Sequence, residues 1–150
     1  MAMRFFQEIA MNHVLLVGVV CWFVAQALKV VFGLIIEQKI DFSRFFGLGG
    51  MPSSHSSVVC GLATSVGLRS GFYSPEFAIS FVLAAIVMTD AAGVRRAAGK
   101  QAAVLNQLIA EVFDANKGVN YDKLKELLGH SPFEVLIGAL LGVLIGFLMM

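Results

Sequence analysis

Charge is scarce in this chain: Asp, Glu, Lys and Arg make up only 14% of its 150 residues, against 58% apolar. A water-soluble domain of this length carries more charge, so a soluble fold is the first class to fall away. Cysteine is nearly as rare. Cys21 and Cys60 each sit inside an apolar run, where a reduced thiol behaves as a small hydrophobe. Two such residues support neither a disulfide framework nor a metal cluster. A basic tract is also missing: 11 Lys and Arg offset 10 Asp and Glu, which gives no electrostatic footing for nucleic acid. The first apolar run lacks a convincing small-residue cleavage site, so it is expected to stay as a span rather than be removed as a signal peptide. No repeat, low-complexity tract or linker interrupts the chain, and residues 1–150 are expected to form a single membrane-embedded domain.

What is present is hydrocarbon, with 13 phenylalanines and a mean hydropathy of +0.83. Residues 14–36 are long enough to cross a bilayer at about 1.5 Å rise per residue, although they carry Gln26 and Lys29. Residues 56–68 are shorter and rich in small side chains, which suits a buried or re-entrant helix. Residues 77–88 are strongly apolar and can extend to 94, and residues 133–150 hold no charge after Glu134. Between the third and fourth segments lies a polar region, 95–130. There Ala98, Ala102, Leu105, Ile109 and Val112 recur at helical spacing, with Arg96, Lys100, Gln107, Glu111 and Asp114 elsewhere around the helix. Such an amphipathic helix lies in the membrane interface or closes over the bundle. A turn is expected at 116–120 and a short helix at 121–128, ended by Gly129. The expected fold is therefore all-α: an integral membrane helical bundle of about four embedded helices, with an amphipathic helical insertion between the third and fourth.

With four crossings, the amino terminus, the Arg69 loop and the carboxyl terminus share one side. Lys39, Arg44, Arg95, Arg96, Lys100, Lys117, Lys123 and Lys125 share the other. The positive-inside bias then puts the polar loops in the cytoplasm, most naturally at the cell (inner) membrane. In the last apolar segment Gly138, Gly142 and Gly146 recur every fourth residue, a smooth ridge that lets another helix approach closely, within the bundle or across a homodimer.

Three segments carry chemistry. Gly49-Gly50-Met51-Pro52-Ser53-Ser54-His55-Ser56-Ser57 sets a histidine among residues whose backbone can approach an anion closely; the plainer reading is a turn, with Ser53 or Ser54 as a helix N-cap. In the second, Asp90 precedes Arg95, Arg96 and Lys100 at a helix start. Guanidinium forks bind phosphate oxygens there, while a single arginine would more simply snorkel. In the third, Ser131 suits an N-cap and Pro132 a first helical turn, with His130 just before and Glu134 just inside. A Glu134 carboxylate near one ring nitrogen would orient the other toward a substrate, or would only complement the helix dipole.

Together these segments resemble the signature of the type 2 phosphatidic acid phosphatase superfamily, which includes bacterial acid phosphatases and vanadium haloperoxidases, and more closely its divergent membrane branch. Pro52-Ser53-Ser54-His55 is similar to the family's Pro-Ser-Gly-His, and His130 with Glu134 is similar to the end of its third motif. The runs Gly93-Val94-Arg95-Arg96-Ala97-Ala98-Gly99 and Gln101-Ala102-Ala103-Val104-Leu105-Asn106 are similar to the divergent branch. Three departures stand out. Lys29 fits the first lysine, but Ile36-Glu37 occupies the place of the family's Arg-Pro, leaving Lys39 or Arg44 as substitutes. Arg96 and His130 are 34 positions apart rather than six, and Glu134 replaces an aspartate.

The resemblance implies a metal-independent lipid phosphatase with no cofactor. In that scheme His130 is the nucleophile, Glu134 holds its ring and His55 protonates the leaving alcohol. Lys29, Ser53, Ser54 and Arg95 or Arg96 then bind the phosphate oxygens. A lysine inside an apolar helix is costly, which favours a functional Lys29. The expected substrate is a lipid or isoprenoid phosphomonoester or diphosphate, with membrane lipids around it and no nucleic acid partner. The alternative is a noncatalytic membrane protein that binds or transports a phosphorylated lipid.

Overall fold

The structure is a computed structural model that describes residues 2–37, 50–113, 124 and 129–150. The turn at 116–120, the short helix at 121–128 apart from Leu124, and Lys39, Arg44, Lys117, Lys123 and Lys125 lie outside the described residues. Every described element is an α-helix: α1 (Ala2–Ala10), α2 (His13–Glu37), α3 (Ser54–Ser70), α4 (Pro75–Ala92), α5 (Val94–Phe113) and α6 (Pro132–Met149). The apolar segments and the amphipathic insertion fall on α2 to α6. The short α1 is not signalled by any apolar run; its nine residues are steadied by an Arg4–Glu8 ion pair one turn apart.

Local chemistry sets the helix starts. Ser53 caps α3 by accepting from the Ser56 amide at 3.3 Å, and Ser74 caps α4 by accepting from the Phe77 amide at 3.1 Å. Ser131 and Glu134 form a reciprocal capping box at α6. Pro75 and Pro132 occupy first-turn positions, where the missing N–H costs nothing. At the other end of α4, the Gly93 amide donates to the Thr89 carbonyl at 2.8 Å, and α5 begins one residue later.

Among the described residues, three stretches are long and apolar enough to cross a membrane: His13–Ile35, Pro75–Glu111 and Pro132–Met149. The second of the four expected segments, α3, is not among them. Instead it runs through the middle, in contact with α2, α4 and α6. Burial explains why it need not be apolar. Its packed residues are small or hydroxylated, including Ser54, Ser56, Ser57, Gly61, Ala63, Thr64 and Ser65. Their hydroxyls find acceptors nearby: Ser57 donates to the Cys21 carbonyl at 3.4 Å and Ser65 to the Gly61 carbonyl at 2.8 Å. Large apolar side chains point outward, as at Ile79, Ile86, Leu140 and Leu148. Small residues inside and large hydrocarbon outside is the arrangement expected where the surrounding solvent is lipid.

The α6 glycine ridge is spent inside this bundle. A Cβ on Gly138 would run into the Ser53 carbonyl, one on Gly142 into the Ser57 carbonyl, and one on Gly146 would lie 2.8 Å from Thr64 Cβ. Backbone therefore meets backbone at Gly138 and Gly142, and at Gly146 the seam closes on the Thr64 side chain. On either side, Val17, Cys21 and Ile145 form one buried cluster, and Val59, Cys60 and Ala84 another.

α5 differs in detail from the expected apolar stripe. Ala102 is buried, but Leu105 is 47% exposed, and the inner face is completed by Gly99 and Asn106. The reason is a backbone contact: Asn106 donates to the Leu124 carbonyl at 2.8 Å and accepts from its amide at 2.9 Å, a clasp that needs an amide and small neighbours. Substituting Gly142→Leu is expected to lower stability by about 3 kcal/mol through overpacking. Gly18→Ala, whose Cβ would lie 3.9 Å from Val58, should be neutral or stabilising by up to about 1 kcal/mol; thermal unfolding in detergent micelles reads both.

Candidate active site

The three chemistry-bearing segments meet at one end of the bundle, where α3 and α6 begin and α4 ends. The α3–α6 seam sets their level. The Ser53 amide donates to the Glu134 carbonyl at 3.1 Å, tying the turn before α3 to the first turn of α6. His55 follows within the first turn of α3, and its ring centroid lies 6.3 Å from that of His130, with the planes at 60°. The two rings are thus near neighbours at the junction of α3 and α6.

His130 is fixed at three points. Its amide donates to the Ala91 carbonyl at 2.9 Å, its ring is 4% exposed, and its Nδ1 lies 3.0 Å from Glu134 Oε2. An ionised carboxylate only accepts hydrogen bonds, so a neutral His130 carries its proton on Nδ1 and leaves the Nε2 lone pair free. Glu134 Oε2 also accepts from the Ser131 amide at 3.3 Å, so the capping box and the histidine share one carboxylate. Gly129 makes this placement possible. It adopts φ +89°, and a Cβ there would strike the Arg96 amide and the Arg95 carbonyl carbon. The chain returning from the insertion thus lies directly on the Arg95–Arg96 backbone. The long separation between Arg96 and His130 in sequence closes to contact in space.

The cations are disposed unequally. Lys29, 5% exposed on α2, donates from Nζ to Ser54 Oγ at 3.2 Å. Arg95 donates through Nε to Asp90 Oδ2 at 2.7 Å, which leaves its terminal NH₂ groups available for an anion. Arg96 is exposed, and among the described residues no contact carries its guanidinium to the histidine pair. Of the two arginines, only Arg95 is held beside the site. Its partner Asp90 was visible in sequence only as a neighbour; the pairing depends on the break at Gly93, which turns Arg95 back toward α4.

His55 stands in this field. Burial is the main influence holding its imidazole below the ordinary histidine range, followed by the electrostatic influence of Arg95, His130 and Lys29, with Asp90 opposing. Its Nδ1 is buried and has no hydrogen-bond partner among the described residues. Such an orphaned polar atom beside two cations fits a site built around an anion. Among the described residues no three His, Cys, Asp or Glu side chains converge as a metal-ligand set.

Residues 10–145 match the Divergent PAP2 family. The chain belongs to that family. The chain is also 44% identical to a Bacillus subtilis protein described as the uncharacterized membrane protein YuiD, over 92% of this chain and 94% of the relative. No solved structure matches it. Family membership, the membrane relative and the three long apolar helices make this divergent PAP2 protein a membrane protein.

A direct check of the site is the ¹⁵N NMR signature of the His130 ring. We expect the Nδ1–H tautomer to dominate, and Glu134→Ala to mix the tautomers while lowering stability by about 1 kcal/mol through loss of the capping box. An Nε2–H ring in the unaltered protein would rule out the Glu134 acceptor role.

Proposed function

We propose that this protein is an integral membrane phosphatase that hydrolyses a lipid or isoprenoid phosphomonoester or diphosphate through a phosphohistidine intermediate. The observation that carries this reading is the pair of facing imidazoles, with Glu134 on Nδ1 of His130. His130 Nε2 attacks phosphorus as the phosphorus–oxygen bond to the lipid alcohol breaks, and His55 gives that oxygen its proton. His55, now neutral, takes a proton from water as the water oxygen attacks the phosphohistidine. Phosphate leaves and His130 is restored. Covalent catalysis divides one hard step into two.

The remaining groups have electrostatic work. Lys29, the terminal groups of Arg95 and Ser54 stabilise charge on the three oxygens that neither enter nor leave, whereas the Ser53 amide, committed to the Glu134 carbonyl, is assigned no phosphate contact. Arg96 is assigned no contact with the phosphate. In the free protein the cations and burial favour neutral His55, whereas the acid step needs it protonated. A bound phosphate dianion supplies the opposing charge. In this reading the polar loops and the site face the cytoplasm, which the charge count supports, and accessibility of tags at both termini tests that orientation.

The decisive experiment is phosphate release from a panel of lipid phosphates by purified protein in vesicles. His130→Ala should abolish release and remove an acid-labile, base-stable phosphoprotein trapped by rapid quenching; release that survives this change would reject the nucleophile. His55→Gln should reduce kcat/KM, which reports the leaving-group step, by about 10²–10⁴-fold for an alkyl phosphate and far less for p-nitrophenyl phosphate, whose leaving group needs no proton. Because kcat/KM reports groups of the free enzyme, its alkaline limb should lie below the ordinary histidine value of about 6.5. Arg95→Gln removes a cation and should move that limb to higher pH. Asp90→Asn should move it lower. Tight vanadate binding without turnover on any lipid would favour the noncatalytic binding protein.

A further inference from the structure

A cavity of about 290 Å³ lies between α3, α4 and α6 and takes no part in the chemistry above. Its walls are apolar apart from the Thr64 hydroxyl. The upper end is formed by Cys60 and Met88, whose sulfurs are 3.7 Å apart, and the lower end by Phe72, Phe77 and Phe147. It opens sideways to lipid, since Phe72, Phe81 and Phe147 are 55%, 59% and 58% exposed.

The position of this groove identifies its occupant. Cys60 is five residues beyond His55 on α3 and Met88 two residues before Asp90 on α4, so the groove begins about 7.5 Å below the histidine pair at 1.5 Å per residue. Its floor, at the level of Gly67 and Phe72, lies about 18 Å below His55 by the same rise. One leaflet of hydrocarbon is roughly 15 Å deep, half of a ~30 Å core. The two depths agree, and the volume admits part of one chain but not two.

We propose that this groove binds a single hydrocarbon chain of the phosphorylated lipid whose headgroup sits between His55 and His130. The inference rests on the phosphate-site reading, and extends it by assigning the α3–α4–α6 cleft to chain recognition. The polar head then stays at the bundle end while one chain runs down beside Ala84 and Ala85 instead of mixing with bulk lipid. A substrate that fills the groove gains apolar burial that a short-chain phosphate does not.

The test is photolabelling of the full chain in phosphatidylcholine vesicles with hexadecylphosphonate carrying a terminal diazirine, which cannot be hydrolysed. Adducts should concentrate on the peptides holding Phe72, Phe77 and Phe147. Unlabelled hexadecylphosphonate should compete them away and hexadecanol should not. Ala85→Trp and Val143→Trp, on opposite walls, should each weaken labelling and hexadecyl phosphate turnover by roughly tenfold or more while leaving butyl phosphate turnover unchanged. Adducts spread without competition over lipid-facing positions such as Phe23 and Ile35 would overturn the groove, even if phosphatase activity is found. Competed labelling in the groove with no turnover would sink the phosphatase and keep the chain site.

Discussion

Everything at the histidine pair depends on the bare backbone contact between α3 and α6. Gly138 and Gly142 let the two helices approach until the Ser53 and Ser57 carbonyls occupy the space that side chains on α6 would need, and Gly146 leaves the same room for the Thr64 side chain. That closeness gives the α3 and α6 starts a common height. It also makes the Ser53–Glu134 backbone hydrogen bond reachable, so that His55 and His130 face each other. A looser pair of helices would keep the same side chains but separate the rings. In lipid, where there is no hydrophobic drive between apolar helices, close van der Waals packing is the available source of such order.

The polar end of the bundle is tolerable only because it is internally connected. Lys29 reaches Ser54, Arg95 reaches Asp90, and Glu134 serves both His130 and the α6 cap. Each carboxylate or hydroxyl steadies a group that would otherwise be expensive to hold near hydrocarbon. The histidine left without a partner at Nδ1 is the exception, and it stands where the positive charges converge. That unpartnered nitrogen beside converging positive charge is what supports the proposed anion site.

The insertion between Arg96 and His130 illustrates how a motif can be cut without being dispersed. α5 leaves at Gly93, is clasped to Leu124 through Asn106, and the chain returns at Gly129 against the backbone it left. The glycine matters here through its positive φ and its lack of Cβ. The departure from the superfamily spacing is thus a lengthened loop closed at its base. The departure at Ile36-Glu37 falls at the end of α2, beyond the Lys29 contact.

Much of this was legible from residue order, because the relevant signals are local. Long apolar runs, Ser caps, Pro132 at a first turn and the four-residue step from His130 to Glu134 act over one or two helical turns, and all are found as the spacing predicts. Composition likewise required a lipid solvent and an all-α bundle. What residue order could not supply is distance between remote segments. It marked α3 as short and suited to burial, but not which three helices enclose its small and hydroxylated surface. It left Arg95 and Arg96 equivalent, because the Gly93 break and the Asp90 pairing separate them only in three dimensions. It offered the glycine ridge to a neighbour or to a second copy, and only packing shows α3 filling it. Local periodicity fixes helices and their ends; which faces meet, and at what height, is decided by steric fit across the chain.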